Sequence, residues 1–256
     1  MPLKLPFKAT IAGIALLAGA LLAGENSGVN PVFLARAQGA YAQAWQTYQA
    51  DTNSTVAAWQ FGRASFGLAE LTTNDAQRAN VARQGIRACR QLVNREPTNA
   101  PGHYYLAMNL GQLAKAEAPS LAAYKLVHEV EDEFQTAAKL DIQFDYAGPA
   151  RTLGLLYFQA PGWPLSVGSN RKAREWLERA AKLAPDYPGN QLNLAEAQLK
   201  WREPDELAMT LKRIEAIWPA ARTNLTGKTW EAFWADWEPR RKSLQADYQR
   251  LYGSKH

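Results

Sequence analysis

The sequence holds a single cysteine, Cys89, and only three histidines, His103, His128 and His256, in 256 residues. A lone cysteine excludes an intramolecular disulfide and any metal site built from several cysteines. The few histidines form no His-Glu-x-x-His or comparable ligand spacing, and no Gly-x-Ser-x-Gly elbow presents a nucleophilic serine. A phosphate-cradling loop is missing as well, because the interval from Gly162 to Gly168 is one residue too long and Lys172 does not directly follow Gly168. His103 falls at a packing position, and His128-Glu129 with Glu131-Asp132-Glu133 reads as a solvated helix face. Cys89 stands where a large core residue belongs, so the expectation is an inert buried thiol. These absences predict no catalytic residue, no metal and no cofactor; only carboxylates brought together by the fold would escape this reading.

An excess of charge is also lacking. The formal net charge of +5 includes Lys4 and Lys8, and the rest of the chain alternates signs along helices, as in Arg171-Lys172-Ala173-Arg174-Glu175. Without basic blocks and interleaved aromatics, nucleic acid is not an expected partner. Long apolar runs are absent except at the start, where Lys4 and Lys8 precede an uncharged stretch from Ala9 to Ala23. That is the pattern of a secretory signal peptide over residues 1–24, with Ala18 and Ala20 permitting cleavage after Ala20. A spanning helix needs roughly 20 apolar residues, so an uncleaved N-terminal anchor is the alternative. Glu25 stands where a lipoprotein signal needs a cysteine. The expectation is an exported chain, periplasmic or secreted, with no stable membrane span after cleavage.

What is present is apolar and helix-forming: hydrophobic residues make up 47% of the chain, and Ala, Leu, Gln, Arg and Glu outweigh runs of Val, Ile and Thr. The working class is all-α. A small or aliphatic residue recurs with partners four and seven positions on and a terminator twelve on. It reads Gly85, Cys89, Leu92, Pro97; Val130, Phe134, Ala137, Ile142; Ala173, Leu177, Ala180, Pro185; and Leu207, Leu211, Ile214, Pro219. Offsets of four and seven share one helix face, and each proline is expected to stop its helix. Upstream of each lies a second pattern: Trp59, Gly62-Arg63, Phe66; His103, Leu106-Ala107, Leu110; Ala150, Leu153-Gly154, Tyr157; and Gln191, Leu194-Ala195, Gln198. The small member of each pair lets two helices approach closely.

This combination resembles the tetratricopeptide repeat, with its Trp-x2-Leu-Gly-x2-Tyr first helix and Ala-x3-Phe second helix before a proline. The best match supplies Leu153-Gly154-x2-Tyr157, then Ala173-x3-Leu177-x2-Ala180 and Pro185; the step from Pro185 to Pro219 is 34 residues, and the earlier steps are 45 and 43. The resemblance implies a right-handed α-solenoid of about four irregular helix pairs, in units at about 55–99, 100–145, 146–187 and 188–220. An additional N-terminal helix over Phe33 to Tyr48 and C-terminal capping helices over 225–252 complete the repeat domain of residues 25–256, since terminal repeats must cover their outer faces. Pro239 is expected to kink or divide the last stretch, roughly Lys228 to Tyr252.

A narrower likeness rests on Trp59 to Leu71, His103 to Gly111, Gly148 to Tyr157, Pro161-Gly162-Trp163-Pro164 and Lys182 to Pro188. In these the chain is similar to the T-component family of tripartite ATP-independent periplasmic transporters. The likeness implies a non-catalytic accessory protein that takes a protein partner or an apolar small ligand. Tyr105, Asn109, Arg151 and Asn193 on the first helices are the expected ligand-facing residues. Trp163 is the expected binding tip of an 11-residue insertion from Gln159 to Ser169, with folding back onto the array as its plainer role. Trp230, Phe233, Trp234 and Trp237 share one helical face. They are read first as a capping contact and otherwise as the patch of a structural homo-oligomer of the envelope.

Overall fold

The computed structural model describes residues 29–253, so the apolar leader and His256 lie outside the described residues. Within them run ten helices: α1 (Pro31–Ala50), α2 (Thr55–Leu71), α3 (Asp75–Arg95), α4 (Ala100–Ala116), α5 (Leu121–Leu140), α6 (Phe144–Gln159), α7 (Asn170–Leu183), α8 (Pro188–Trp201), α9 (Pro204–Asn224) and α10 (Lys228–Tyr252). The class is all-α. Local sequence sets most of the starts. Asn30, Ser54, Asn74, Asn99, Ser120 and Ser169 each accept a hydrogen bond from a backbone N–H of the first turn. Proline occupies the first turns of α1, α4, α8 and α9, where its missing N–H costs nothing. Among the described residues no helix is long and apolar enough to cross a membrane.

The repeat positions are core positions. Cys89, Leu92, Val130, Phe134, Ala137, Ala173, Leu177, Ala180, Leu207, Leu211 and Ile214 are all buried, as are Ala107 and Ala195 at the small positions. Gly154 shows why a small residue is required, for a Cβ there would stand 2.7 Å from Leu177 Cγ and 2.9 Å from its backbone nitrogen. Gly62 is pressed in the same way against the Cys89 sulfur.

Short connections make α2 and α3, α4 and α5, α6 and α7, and α8 and α9 antiparallel pairs, each packed on the next. The first helices also touch one another in sequence, α2 on α4, α4 on α6, α6 on α8 and α8 on α10, whereas the second helices make no comparable contacts among themselves. The first helices therefore form one continuous layer of the array, termed the inner layer. Helices α4 and α8 are enclosed nearly all round; α4 is buried from Gly102 to Ala114. The first and last helices meet, since Arg36 of α1 donates to Lys228 O at 2.8 Å and to Glu231 Oε2 at 2.9 Å.

The expectation that each proline stops its helix is corrected at Pro219, and of the two outcomes expected at Pro239 division does not occur. Helices α3 and α7 do stop shortly before Pro97 and Pro185, but α9 continues through Pro219 to Asn224, and α10 runs through Pro239 without dividing. Trp218, Ala221 and Leu225 are buried around and beyond Pro219. Their burial, about 1.5–3 kcal/mol for a large side chain, offsets the roughly 3 kcal/mol that an interior proline costs.

Candidate functional site

The inner layer carries a wall of aromatic rings. Trp59 of α2 stacks on Tyr105 of α4 with centroids 5.9 Å apart, and Phe144 stands edge-on to both and to Tyr104. Further along, Tyr146 stacks on Tyr187 at 4.6 Å, and Trp230 of α10 meets both edge-on. Phe233, Trp237, Trp234 and Trp218 extend this second group. Trp59, Phe144, Trp230 and Phe233 are half-buried and Tyr146 is exposed, so the wall keeps accessible ring surface. Offset and edge-on pairs of this kind add about 0.5–1.5 kcal/mol beyond their burial and hold the rings in fixed orientations.

The two aromatic groups join at an unusual stretch of backbone. Asp145, Tyr146 and Ala147 at the start of α6 all have positive φ, at 52°, 57° and 59°, a left-handed run without a glycine. Each such residue costs of order 1–2 kcal/mol and persists only where surroundings impose it. Arg151 is that constraint: it donates to the carbonyls of Asp145 and Tyr146, to Asn190 Oδ1 at 3.2 Å and to Asp145 Oδ2 at 2.9 Å. Asn190 Nδ2 in turn donates to Tyr146 O at 3.0 Å, and the Arg151 guanidinium lies 5.1 Å from the Tyr187 ring centre. Burial would lower the Arg151 pKa, but Tyr104, Tyr187 and Asp145 around it hold it above the ordinary value. Burial also pushes Tyr187 up to about 12, so the cluster is one cation and one carboxylate among neutral phenols.

The residues expected from sequence divide three ways. Tyr105 and Arg151 belong to the wall and its junction, and Trp230, Phe233, Trp234 and Trp237 form its far end, with Trp237 only 2% exposed and the other three half-buried against the same core. Asn109 and Asn193 lie behind it. Asn109 Nδ2 donates to Gly62 O at 2.8 Å and to Tyr105 O at 2.7 Å, tying α4 to α2, while Asn193 Oδ1 accepts from Arg240 at 2.6 Å, tying α8 to α10. Trp163 is elsewhere, 89% exposed on the α6–α7 connection. Sequence reasoning missed Phe144, Tyr146, Tyr187 and Asp145; the aromatic density of Phe144-Asp145-Tyr146 was the available signal.

Outside the wall, His103 and Cys89 are tied into the packing. His103 holds Glu133 Oε2 at 2.5 Å through Nδ1 and Pro97 O at 2.9 Å through Nε2, and the Glu133 bond raises its pKa against the effect of burial. Burial takes the Cys89 thiol up to about 12, so it is protonated and unreactive. No group of three or more His, Cys, Asp or Glu side chains among the described residues is arranged to hold a metal ion. A cleft of about 820 Å³ opens on the outer layer between α5 and α7, with Lys139, Arg171, Arg179, Asp141 and Glu175 among its lining. Its mixed charge and the Lys172–Glu131 bond at 3.2 Å give it no clear ligand preference.

A pH dependence follows from Glu70, His103 and Asp236. Burial lifts Glu70 to about 7 and raises Asp236, and the Glu133 bond raises His103. A group with a folded pKa above its unfolded one contributes stability below the unfolded value and loses it as pH rises through the folded value. Glu70 and His103 therefore weaken the fold on going from pH 5 to pH 8, and Asp236 does so as pH rises above its ordinary value. Thermal melts should show a lower Tm at pH 8, and Glu70→Gln should raise Tm at pH 8 more than at pH 5. Equal effects of this variant at both pH values would refute the assignment.

Comparison with known protein families and with curated proteins finds no match to this chain.

Proposed function

We propose that the chain is an exported, non-catalytic binding protein of tetratricopeptide type, which receives an apolar, ring-containing small molecule against its inner aromatic wall. The observation that carries this reading is the accessible ring surface of Trp59, Phe144, Tyr146, Trp230 and Phe233 on the inner layer, held rigid by the Arg151–Asp145 junction. Rigid rings bind at low entropic cost, and an apolar wall with few convergent polar groups is the usual chemistry of a small-molecule site. The sequence likeness to transporter T-components supports reading the protein as an accessory of solute uptake, built as a right-handed solenoid. The oligomer reading loses Trp237, which α10 buries against its own chain.

Titration with N-phenylnaphthylamine, a fluorescent apolar probe, tests the proposal. Trp59→Leu and Phe144→Leu should each weaken binding about five-fold, as expected for loss of about 1 kcal/mol of ring contact. Trp163→Ala should leave binding unchanged. Equal affinity in all four chains would remove the wall as the site.

A further inference from the structure

Apart from the wall, large apolar side chains reach solvent along one edge of the array. Trp163 is 89% exposed and Leu165 61% at the tip of the α6–α7 connection, and Leu121 is 83% exposed at the start of α5. The tip is built to stand out. Ser169 N donates to Tyr157 O at 2.9 Å, Gly168 N to Pro161 O at 2.9 Å and Leu165 N to Gly162 O at 3.0 Å. Val167 packs into the main core, and a Cβ at Gly168 would strike the Ala160 carbonyl oxygen, so only glycine closes this loop. Trp163 is held away from the array instead of folding back onto it.

Leu121 lies on the same edge. Both α4 and α6 run antiparallel to α5, so the α4–α5 and α6–α7 connections emerge side by side. The Tyr157 hydroxyl donates to Glu131 at 2.5 Å, which leaves the first turns of α5 extending about 15 Å past that level, alongside the inserted loop. Cations rim these tips. Lys125 follows Leu121 by one turn, Arg171 opens α7 with only a 3.8 Å approach to Glu175, and Lys200 sits 5.0 Å over the Phe158 ring at the end of α6. Lys125, Lys200 and the exposed Arg202 carry no ion pair among the described residues. Of the acidic groups nearby, Glu117 and Glu203 are taken up by Arg83 and Arg174, and Asp205 and Glu206 stand one pair further along. The chain also enters the fold on this edge. Leu34 and Ala37 of α1 pack with Leu68 and Ala69 at the end of α2, so Pro31, which follows the apolar stretch of residues 9–23, lies beside the α2–α3 connection.

We propose that this edge is a membrane-contacting surface, with Trp163 and Leu165 entering the interface of a bilayer that carries anionic headgroups. A convex tip with one tryptophan suits a deformable headgroup layer, where amphipathic rings are favoured and each cation adds about 1 kcal/mol near an anionic surface. A protein partner would instead have to offer a matching pocket. The site is separate from the aromatic wall, and Trp163→Phe leaves the wall intact.

The test uses the full chain with vesicles of phosphatidylcholine and phosphatidylglycerol carrying brominated acyl chains. Because the chain has nine tryptophans, Trp163 contributes about one ninth of the residues that report quenching. The unaltered chain should be quenched measurably more than Trp163→Phe, and the difference should shrink when phosphatidylglycerol is omitted or when Arg171→Glu and Lys200→Glu are combined. Matching melting temperatures establish that the variants are folded. Equal quenching of the unaltered and Trp163→Phe chains would overturn the proposal. So would self-association without lipid that Trp163→Asp abolishes, since the tip would then be a protein contact.

Discussion

Arg240→Ala is expected to cost about 3–5 kcal/mol of stability, the range for removing one partner from a buried charge cluster, and to loosen α10 from the array. Arg240 is 9% exposed and donates to both Glu196 oxygens at 2.7 and 2.8 Å, to Asp236 Oδ2 at 2.9 Å and to Asn193 Oδ1 at 2.6 Å. It is the polar tie between α8 and α10. Truncation leaves Glu196 and Asp236 without their cation in a site where burial already raises Asp236. Urea unfolding measures the loss, and limited proteolysis between Leu225 and Lys228 reports the loosening. A cost below about 1 kcal/mol, the level of an exposed pair, would show that the Arg240 cluster does not hold α10 to α8.

Phe134→Ala should be as damaging for a different reason, at about 3–5 kcal/mol. Its ring is fully buried on α5 and lies 5.8 Å from that of Tyr104 on α4. Loss of the ring removes apolar burial and leaves a cavity that the enclosed helix α4 cannot close by moving, because it is packed against α2, α3, α5 and α6. Phe233→Ala on half-buried α10 surface is the internal comparison and should cost clearly less in the same urea titration. Equal losses would contradict the assignment of the repeat face as the core.

The repeat face was legible because spacing alone decides which helical residues point together. Val130, Phe134 and Ala137 follow the same offsets as Ala173, Leu177 and Ala180, and both sets are buried. Gly154 was legible for the same reason, as a small residue where helices cross. Pro219 was not, because its effect depends on what is buried beyond it, and that is tertiary information. Asn109 and Asn193 looked ligand-facing because a first helix in such an array was expected to leave one side open. Here α4 and α8 are covered nearly all round, and both amides bond neighbouring helices instead. The left-handed run from Asp145 to Ala147 had no signature at all: without glycine, it depends on Arg151 and on Asn190, 39 residues apart in sequence. The wall was thus half visible, in Tyr105, Arg151 and the α10 aromatics, and half hidden in that segment.

The accessible rings of the inner layer are proposed to hold an apolar small molecule. Native mass spectrometry of the chain purified from its own host tests this most directly. The expected result is a retained small molecule that is released from Trp59→Leu and Phe144→Leu but kept by Trp163→Ala. An unliganded mass in every preparation, together with no affinity for the apolar probe, would contradict it.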